Sequence, residues 1–152
     1  MPDPDKLPPR PALLLGAAGL LPALAALGVM LAARRSEQDV AFRVAVTYGA
    51  VILAFLGGAW WGLAAARAHP RDLAWWLGLA VLPALAAWGI AYRPTPLGTA
   101  LLSALFLAAL WADRELARRL VAPPWWLPMR LPLSLCMAGL YMIIAVVRLV
   151  RQ

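Results

Sequence analysis

Five long apolar runs, separated by short connectors that carry arginines, account for most of this chain. They cover residues 11–33, 40–66, 73–92, 97–112 and 131–149. A helix needs about 20 apolar residues to cross the hydrocarbon of a bilayer, and a helix satisfies its own backbone hydrogen bonds there. The runs therefore predict an all-α polytopic membrane protein. We expect five transmembrane helices in a compact bundle, forming a single integral membrane domain over residues 1–152.

The longest connector, residues 113–130, predicts an interfacial helix between spans four and five. Residues 113–121 have a helical pattern of charged and apolar side chains, and a pair of prolines follows that ends a helix. Trp125 and Trp126 come next, and indole rings favour the headgroup region of a bilayer. We expect this segment to lie along the membrane surface.

Composition and charge favour a membrane partner over a nucleic acid. Hydrophobic residues make up 64% of the chain and charged residues 14%, against about a quarter charged in a typical soluble domain. The net charge of +7 is dispersed among the connectors, where arginines anchor to headgroups. We predict contact with the lipid bilayer and no nucleic-acid binding. With one cysteine and one histidine in the chain, we expect no metal site and no cofactor.

The ends of the spans predict the orientation. Asp3 and Asp5 offset Lys6 and Arg10, so the chain lacks the positive start of a signal peptide, and the first run is expected to be a retained helix. Eight basic residues flank the spans on the N-terminal side and six on the other. The positive-inside rule then places the N-terminus in the cytoplasm. The preference for arginine over lysine, together with the many alanines, suggests a GC-rich bacterial genome.

The second run contains a row of small residues. Ala50, Ala54, Gly58 and Gly62 recur at every fourth position, and such rows let helices approach closely in a bilayer. An alternative is chance, because alanine and glycine are common in this chain. We predict a helix-packing surface, within the bundle rather than between proteins, made of Gly49, Ala50, Ala54, Gly57, Gly58 and Gly62.

The same string, YGAVILAFLGGAWWG from Tyr48 to Gly62, resembles the signature of a family of small inner-membrane proteins. This is the domain-of-unknown-function 3429 (DUF3429) or transmembrane protein 69 family, with a Y-G-A-x-I-L-S-F-L-G-G-x-x-W-G segment in its second span. Ala54 stands where that family has serine, and Trp60 where it often has histidine or arginine. The resemblance implies five helices in an inner membrane and supplies no activity.

Tryptophans are placed unevenly along the spans. Trp88 lies toward one end of the bundle, and the other seven fall near the N-terminal side together with charged residues. One interpretation is a lipid-anchoring belt. The other is a site for a quinone, a lipid headgroup or a tetrapyrrole, with indoles around the ligand and an arginine on its oxygen. The candidate face consists of Trp60, Trp61, Arg67, His69, Arg71, Asp72, Trp75, Trp76, Trp111, Arg114, Trp125 and Trp126.

The spans lack a nucleophile with a base, paired carboxylates and a phosphate-binding loop, so we predict no catalytic residues and no enzyme activity. The favoured function is an accessory or assembly component that packs against a larger membrane complex. The alternative is a binder or carrier of a membrane amphiphile at the tryptophan face. An intramembrane enzyme using acidic and basic residues of the connectors ranks third.

Overall fold

The computed structural model describes residues 7–151, and every regular element in that range is a helix. The N-terminal tail with Asp3, Asp5 and Lys6 lies outside it. The helices are α1 (Arg10–Ala18), α2 (Leu21–Ala32), α3 (Arg35–Arg67), α4 (Pro70–Tyr92), α5 (Pro96–Arg118) and α6 (Trp126–Val150). With α1 and α2 taken together, five segments are long and apolar enough to cross a membrane. The prediction of five spans is confirmed, and their exposed leucines, valines and tryptophans contact lipid.

The first span, Arg10–Ala32, is interrupted near its middle. The α-helical hydrogen-bond pattern is broken at Gly19 and Leu20, although both keep right-handed helical dihedral angles, and α2 then begins with Pro22 in its first turn. Because proline has no N–H, Pro22 cannot donate to a carbonyl one turn earlier, and the helix is interrupted there. The hydroxyl of Tyr48 donates to the Gly19 carbonyl at 2.6 Å. The interruption is thus held against α3.

The interfacial helix predicted for residues 113–130 is wrong. Residues 113–118 continue α5 without a break, and α6 already begins at Trp126. Between them, Leu120 has a φ of 57°, and the Val121 N–H donates back to the Leu116 carbonyl at 2.9 Å. This is a Schellman ending, with leucine where glycine is usual. Helix α5 continues through the charged residues after position 112 because no helix-breaking residue precedes Leu120 in this segment.

Six of the ten span ends agree with the prediction within one residue, whereas α3, α4 and α6 begin three to five residues earlier and α5 ends six residues later. Thr95 caps α5, with its Oγ1 accepting from the Gly98 N–H at 3.0 Å. His69 caps α4, and its Nδ1 accepts from the Arg71 N–H at 3.3 Å. Pro132 lies inside α6, because that helix begins earlier than its apolar run.

Helix α3 lies at the centre of the bundle and packs against α2, α4, α5 and α6. Two of its glycines allow the close contacts. A Cβ atom on Gly49 would lie 2.6 Å from the Tyr141 ring, and one on Gly57 would collide with the Ala80 carbonyl oxygen. Hydroxyl groups add bonds between helices: Tyr141 donates to the Ala45 carbonyl at 2.6 Å. In a bilayer such contacts replace the hydrophobic drive that packs helices in water.

Candidate functional site

A buried polar cluster joins three helices near the N-terminal end of the bundle. Its central residue is Asp113, whose side chain is 0% exposed. Asp113 Oδ1 accepts from the indole N–H of Trp60 at 2.8 Å and of Trp126 at 2.7 Å. Asp113 Oδ2 accepts from Arg130 Nε at 3.2 Å, and Arg130 Nη2 donates to Ser134 Oγ at 2.8 Å. We call these five residues the Asp113 cluster.

Helix geometry brings the cluster together. Asp113 points inward from α5 because it follows the buried Ala109 by four residues and so shares its face. Trp126, Arg130 and Ser134 recur every fourth residue and lie along one face of α6. Trp60, 2% exposed, reaches the carboxylate from α3. The continuation of α5 past residue 112 is what carries Asp113 into the bundle.

The cluster satisfies its charges internally. An isolated carboxylate in a medium of low dielectric costs several kcal/mol, and a guanidinium with hydrogen bonds to the same carboxylate offsets much of that cost. Two indole N–H groups complete the shell around Asp113. Removing one partner of such a buried pair typically costs about 3–5 kcal/mol. The cluster therefore fixes how α3, α5 and α6 meet.

Beside the cluster lies a cavity of about 360 Å³. It opens between the α1–α2 segment, α3 and α6. Its apolar wall includes Phe55 and Ala59 of α3 and Leu133 of α6. Arg130 and Trp126 line it as well as belonging to the cluster. The remaining lining residues are Ala12, Leu15, Gly16, Gly19, Leu20, Ile52, Leu56, Trp125, Met129 and Met137.

Arg130 has hydrogen-bonding capacity left over. A guanidinium carries five N–H donors, and the structure engages Nε with Asp113 and Nη2 with Ser134. Within residues 7–151, Nη1 has no acceptor, although the side chain is only 10% exposed. Among the residues that the structure describes, Arg130 is the charged side chain that lines the cavity. A buried charged group that has free N–H donors therefore borders an apolar space.

The predicted tryptophan face is divided among several environments. The structure brings together Trp60, Trp125 and Trp126 at the cluster and the cavity. Trp76 is buried elsewhere at 1% exposure, and its Nε1 has no partner in the described part of the chain. The exposed members, which fit the belt interpretation, are Trp61, Trp75, Trp111, Arg67, His69, Arg71 and Arg114.

Asp72 belongs to a separate group at the surface. It accepts from Arg119 Nη1 at 3.1 Å, and Glu115 accepts from Arg119 Nε at 3.0 Å. The hydrogen bond to Glu115 raises the pKa of Arg119, and the nearby Asp72 charge adds to the effect. This exposed trio ties the start of α4 to the end of α5.

The predicted packing row is also divided. Gly49, Ala50 and Gly57 are buried, whereas Ala54, Gly58 and Gly62 are exposed. No atom outside its own helix turn lies within 4 Å of a Cβ built on Gly58 or Gly62. The close contacts within the bundle therefore run through Gly49 and Gly57, two turns apart, and the Ala54–Gly58–Gly62 row faces outward.

Arg130 and Ser134 were not among the predicted site residues, and Asp113 was assigned to a connector. One signal could have found them. Arg130 and Ser134 are four residues apart, which is about one helical turn. Asp113 continues the helical pattern of residues that begins at Thr95. Assigning the connector to an interfacial helix separated the three residues.

A model of the family described as "protein of unknown function (DUF3429)" matches residues 8–147. Transmembrane protein 69 from Xenopus tropicalis is 44% identical over 81 residues, which cover 53% of this chain. The matched part spans only 32% of that relative's own length. No solved structure matches this chain.

Proposed function

The chain belongs to the DUF3429 family, and we propose that it is a non-enzymatic membrane protein that binds an amphiphile in the cavity beside the Asp113 cluster. One observation carries this proposal: Arg130, about nine-tenths buried, lines an otherwise apolar cavity of about 360 Å³ and keeps N–H donors that no described residue engages. The head of the amphiphile would accept from Arg130, and its tail would follow the apolar wall outward to the lipid.

Size and lining support this assignment. Small-molecule sites have volumes of about 300–1,000 Å³ and combine an apolar lining with few polar groups. The cavity lies at the lower end of that range, which suits one ring or one acyl head and not a tetrapyrrole. Trp125 and Trp126 border it, and aromatic rings offer flat contact surfaces.

A pair of alanine substitutions tests the proposal. Ala59 lines the cavity, whereas Ala108 lines a different, smaller space between α3, α4 and α5. Ala59→Leu should fill the proposed site without touching the polar cluster, and Ala108→Leu is the matched control. Native mass spectrometry of protein extracted in mild detergent should find a bound small molecule in the wild type and the control. Its retention in Ala59→Leu at the wild-type level would refute the proposal.

A second candidate function rests on the outward-facing row of Ala54, Gly58 and Gly62. Exposed small residues four apart are the usual contact surface between transmembrane helices. We propose as the alternative an accessory component whose α3 packs against a larger membrane complex. Gly58→Ile should then release a partner that co-purifies with the wild type. Gly78→Ile, at an exposed glycine of α4, is the control, and recovery of the wild type without any partner would count against this function.

We also propose that the protein lies in a bacterial inner membrane with its N-terminus in the cytoplasm. Support comes from the basic residues of the sequence, eight against six. The test uses two single-cysteine variants, Ser36→Cys and Arg71→Cys, in a Cys136→Ser background. Ser36 lies at the start of α3, and Arg71 lies beyond the other end of that helix, at the start of α4. A membrane-impermeant maleimide added to intact cells should label the first and spare the second, and the reverse result would invert the topology.

A further inference from the structure

We infer that the head of the bound amphiphile is a neutral carbonyl group, such as a quinone ring or an acyl ester, and not an anion. This inference rests on the proposed function and names its ligand class. Two properties of the Asp113 cluster support it independently: its charge and its hydrogen-bonding capacity.

The charge at the polar end of the cavity is already balanced. The positive Arg130 is in direct contact with the negative Asp113, which is fully buried. No other charged side chain from residues 7–151 lines the cavity. An anionic head entering there would gain little net attraction and would lose its hydration in a medium of low dielectric. An ammonium head would meet the guanidinium first and would be repelled.

The hydrogen-bonding capacity is of one kind only. The three guanidinium N–H groups that Asp113 and Ser134 leave unused are donors. The other lining side chains are aliphatic, aromatic or methionine, so none of them brings an oxygen acceptor. A ligand must therefore supply an acceptor, and an alcohol or amine that also needs an acceptor is less well matched.

A neutral carbonyl satisfies both conditions. It accepts one or two N–H bonds from Arg130 and adds no charge beside Asp113. Hydrogen bonds that involve a charged donor are stronger than those between neutral groups. Both the ring carbonyl of a quinone and the ester carbonyl of a glyceride have this chemistry, with an apolar tail attached.

Four probes with comparable tails separate the possibilities: decylubiquinone, monoolein, oleate and oleylamine. Each is titrated into purified wild type in a neutral detergent, with thermal unfolding and native mass spectrometry as readouts. The carbonyl probes should bind about tenfold or more tightly than oleate, which loses its hydration without net attraction, and than oleylamine, which the guanidinium repels. The ratio of the dissociation constants of decylubiquinone and monoolein identifies the ring or the ester as the better ligand.

Ala59→Leu and Asp113→Asn complete the test. If no probe binds in an Ala59-dependent way, the proposed site fails. If binding depends on Ala59 but oleate binds as tightly as the carbonyl probes, the site stands and the ligand class is wrong. Asp113→Asn leaves Arg130 without its counter-ion, so the affinity for oleate should rise about tenfold relative to the affinity for monoolein. If that variant does not fold, the ranking of the four probes on the wild type decides.

Discussion

The indole N–H of Trp60 donates to Asp113 Oδ1 at 2.8 Å, joining the central helix to α5. The bond is inaccessible to water, because Trp60 is 2% exposed and Asp113 is fully buried. Trp76 offers a contrast, since it is equally buried but its indole N–H has no partner among the described residues. Trp60 thus has a hydrogen bond to a charged acceptor that Trp76 lacks, whereas Trp76 has the Arg119 guanidinium 5.9 Å from its ring centroid.

Replacing each by phenylalanine should separate packing from hydrogen bonding. Both variants lose similar apolar volume, but only Trp60→Phe leaves Asp113 with one donor fewer. We expect Trp60→Phe to lower the free energy of unfolding by about 1.5–3 kcal/mol more than Trp76→Phe does. Denaturant unfolding in detergent micelles measures the difference. Equal losses would mean that the Trp60 bond contributes nothing to stability.

Two adjacent glycines of α3 allow a second comparison. A Cβ on Gly57 would collide with the Ala80 carbonyl oxygen, whereas a Cβ on Gly58 meets nothing within 4 Å. Gly57→Ala should force α3 and α4 apart at a cost of about 1–3 kcal/mol. Gly58→Ala should be neutral or stabilise the helix by up to about 1 kcal/mol. Thermal unfolding of the two variants checks this, and comparable losses at both sites would contradict the assigned packing face.

The sequence predicted the spans well because hydrocarbon thickness constrains length and composition. Helical spacing could have placed Asp113 and Arg130 within helices, but their pairing could not be predicted from the sequence, for a physical reason. Hydropathy treats a charged residue as the end of a span, yet Asp113 is buried because its partner arrives from α6, which no local pattern reports. Within the predicted packing row, Gly57 and Gly58 are adjacent residues of the same type. Only the position of α4 decides which of the two is buried.

Leu120 gives a third prediction. It has a φ of 57° and is 83% exposed at the end of α5. A left-handed conformation costs a residue with a Cβ about 1–2 kcal/mol, and glycine avoids that cost. Leu120→Gly should therefore raise the free energy of unfolding by about 1 kcal/mol. Leu120→Ala keeps the Cβ and serves as the control, so an equal gain in both variants would exclude backbone conformation as the cause.

Tyr48 and Gly19 give the last prediction, which concerns the wall of the cavity. The Tyr48 hydroxyl donates to the Gly19 carbonyl where the first span is interrupted, and α1 itself contains no buried residue. Tyr48→Phe removes that donor and leaves a carbonyl unpaired in an apolar environment, at a cost of about 1–3 kcal/mol. Because Gly19 lies between α1 and α2, the loss should loosen α1 more than the rest of the bundle.

Spin labels at Leu14 of α1 and Leu149 of α6, both exposed, measure this effect by the width of their distance distribution. Tyr48→Phe should broaden that distribution, while labels on Leu101 and Leu149 should keep theirs. Tyr92→Phe is the matched control, since Tyr92 is 77% exposed at the other end of the bundle. An unchanged distribution in Tyr48→Phe would mean that packing against Leu133, which touches Gly16, is sufficient to hold α1 over the cavity.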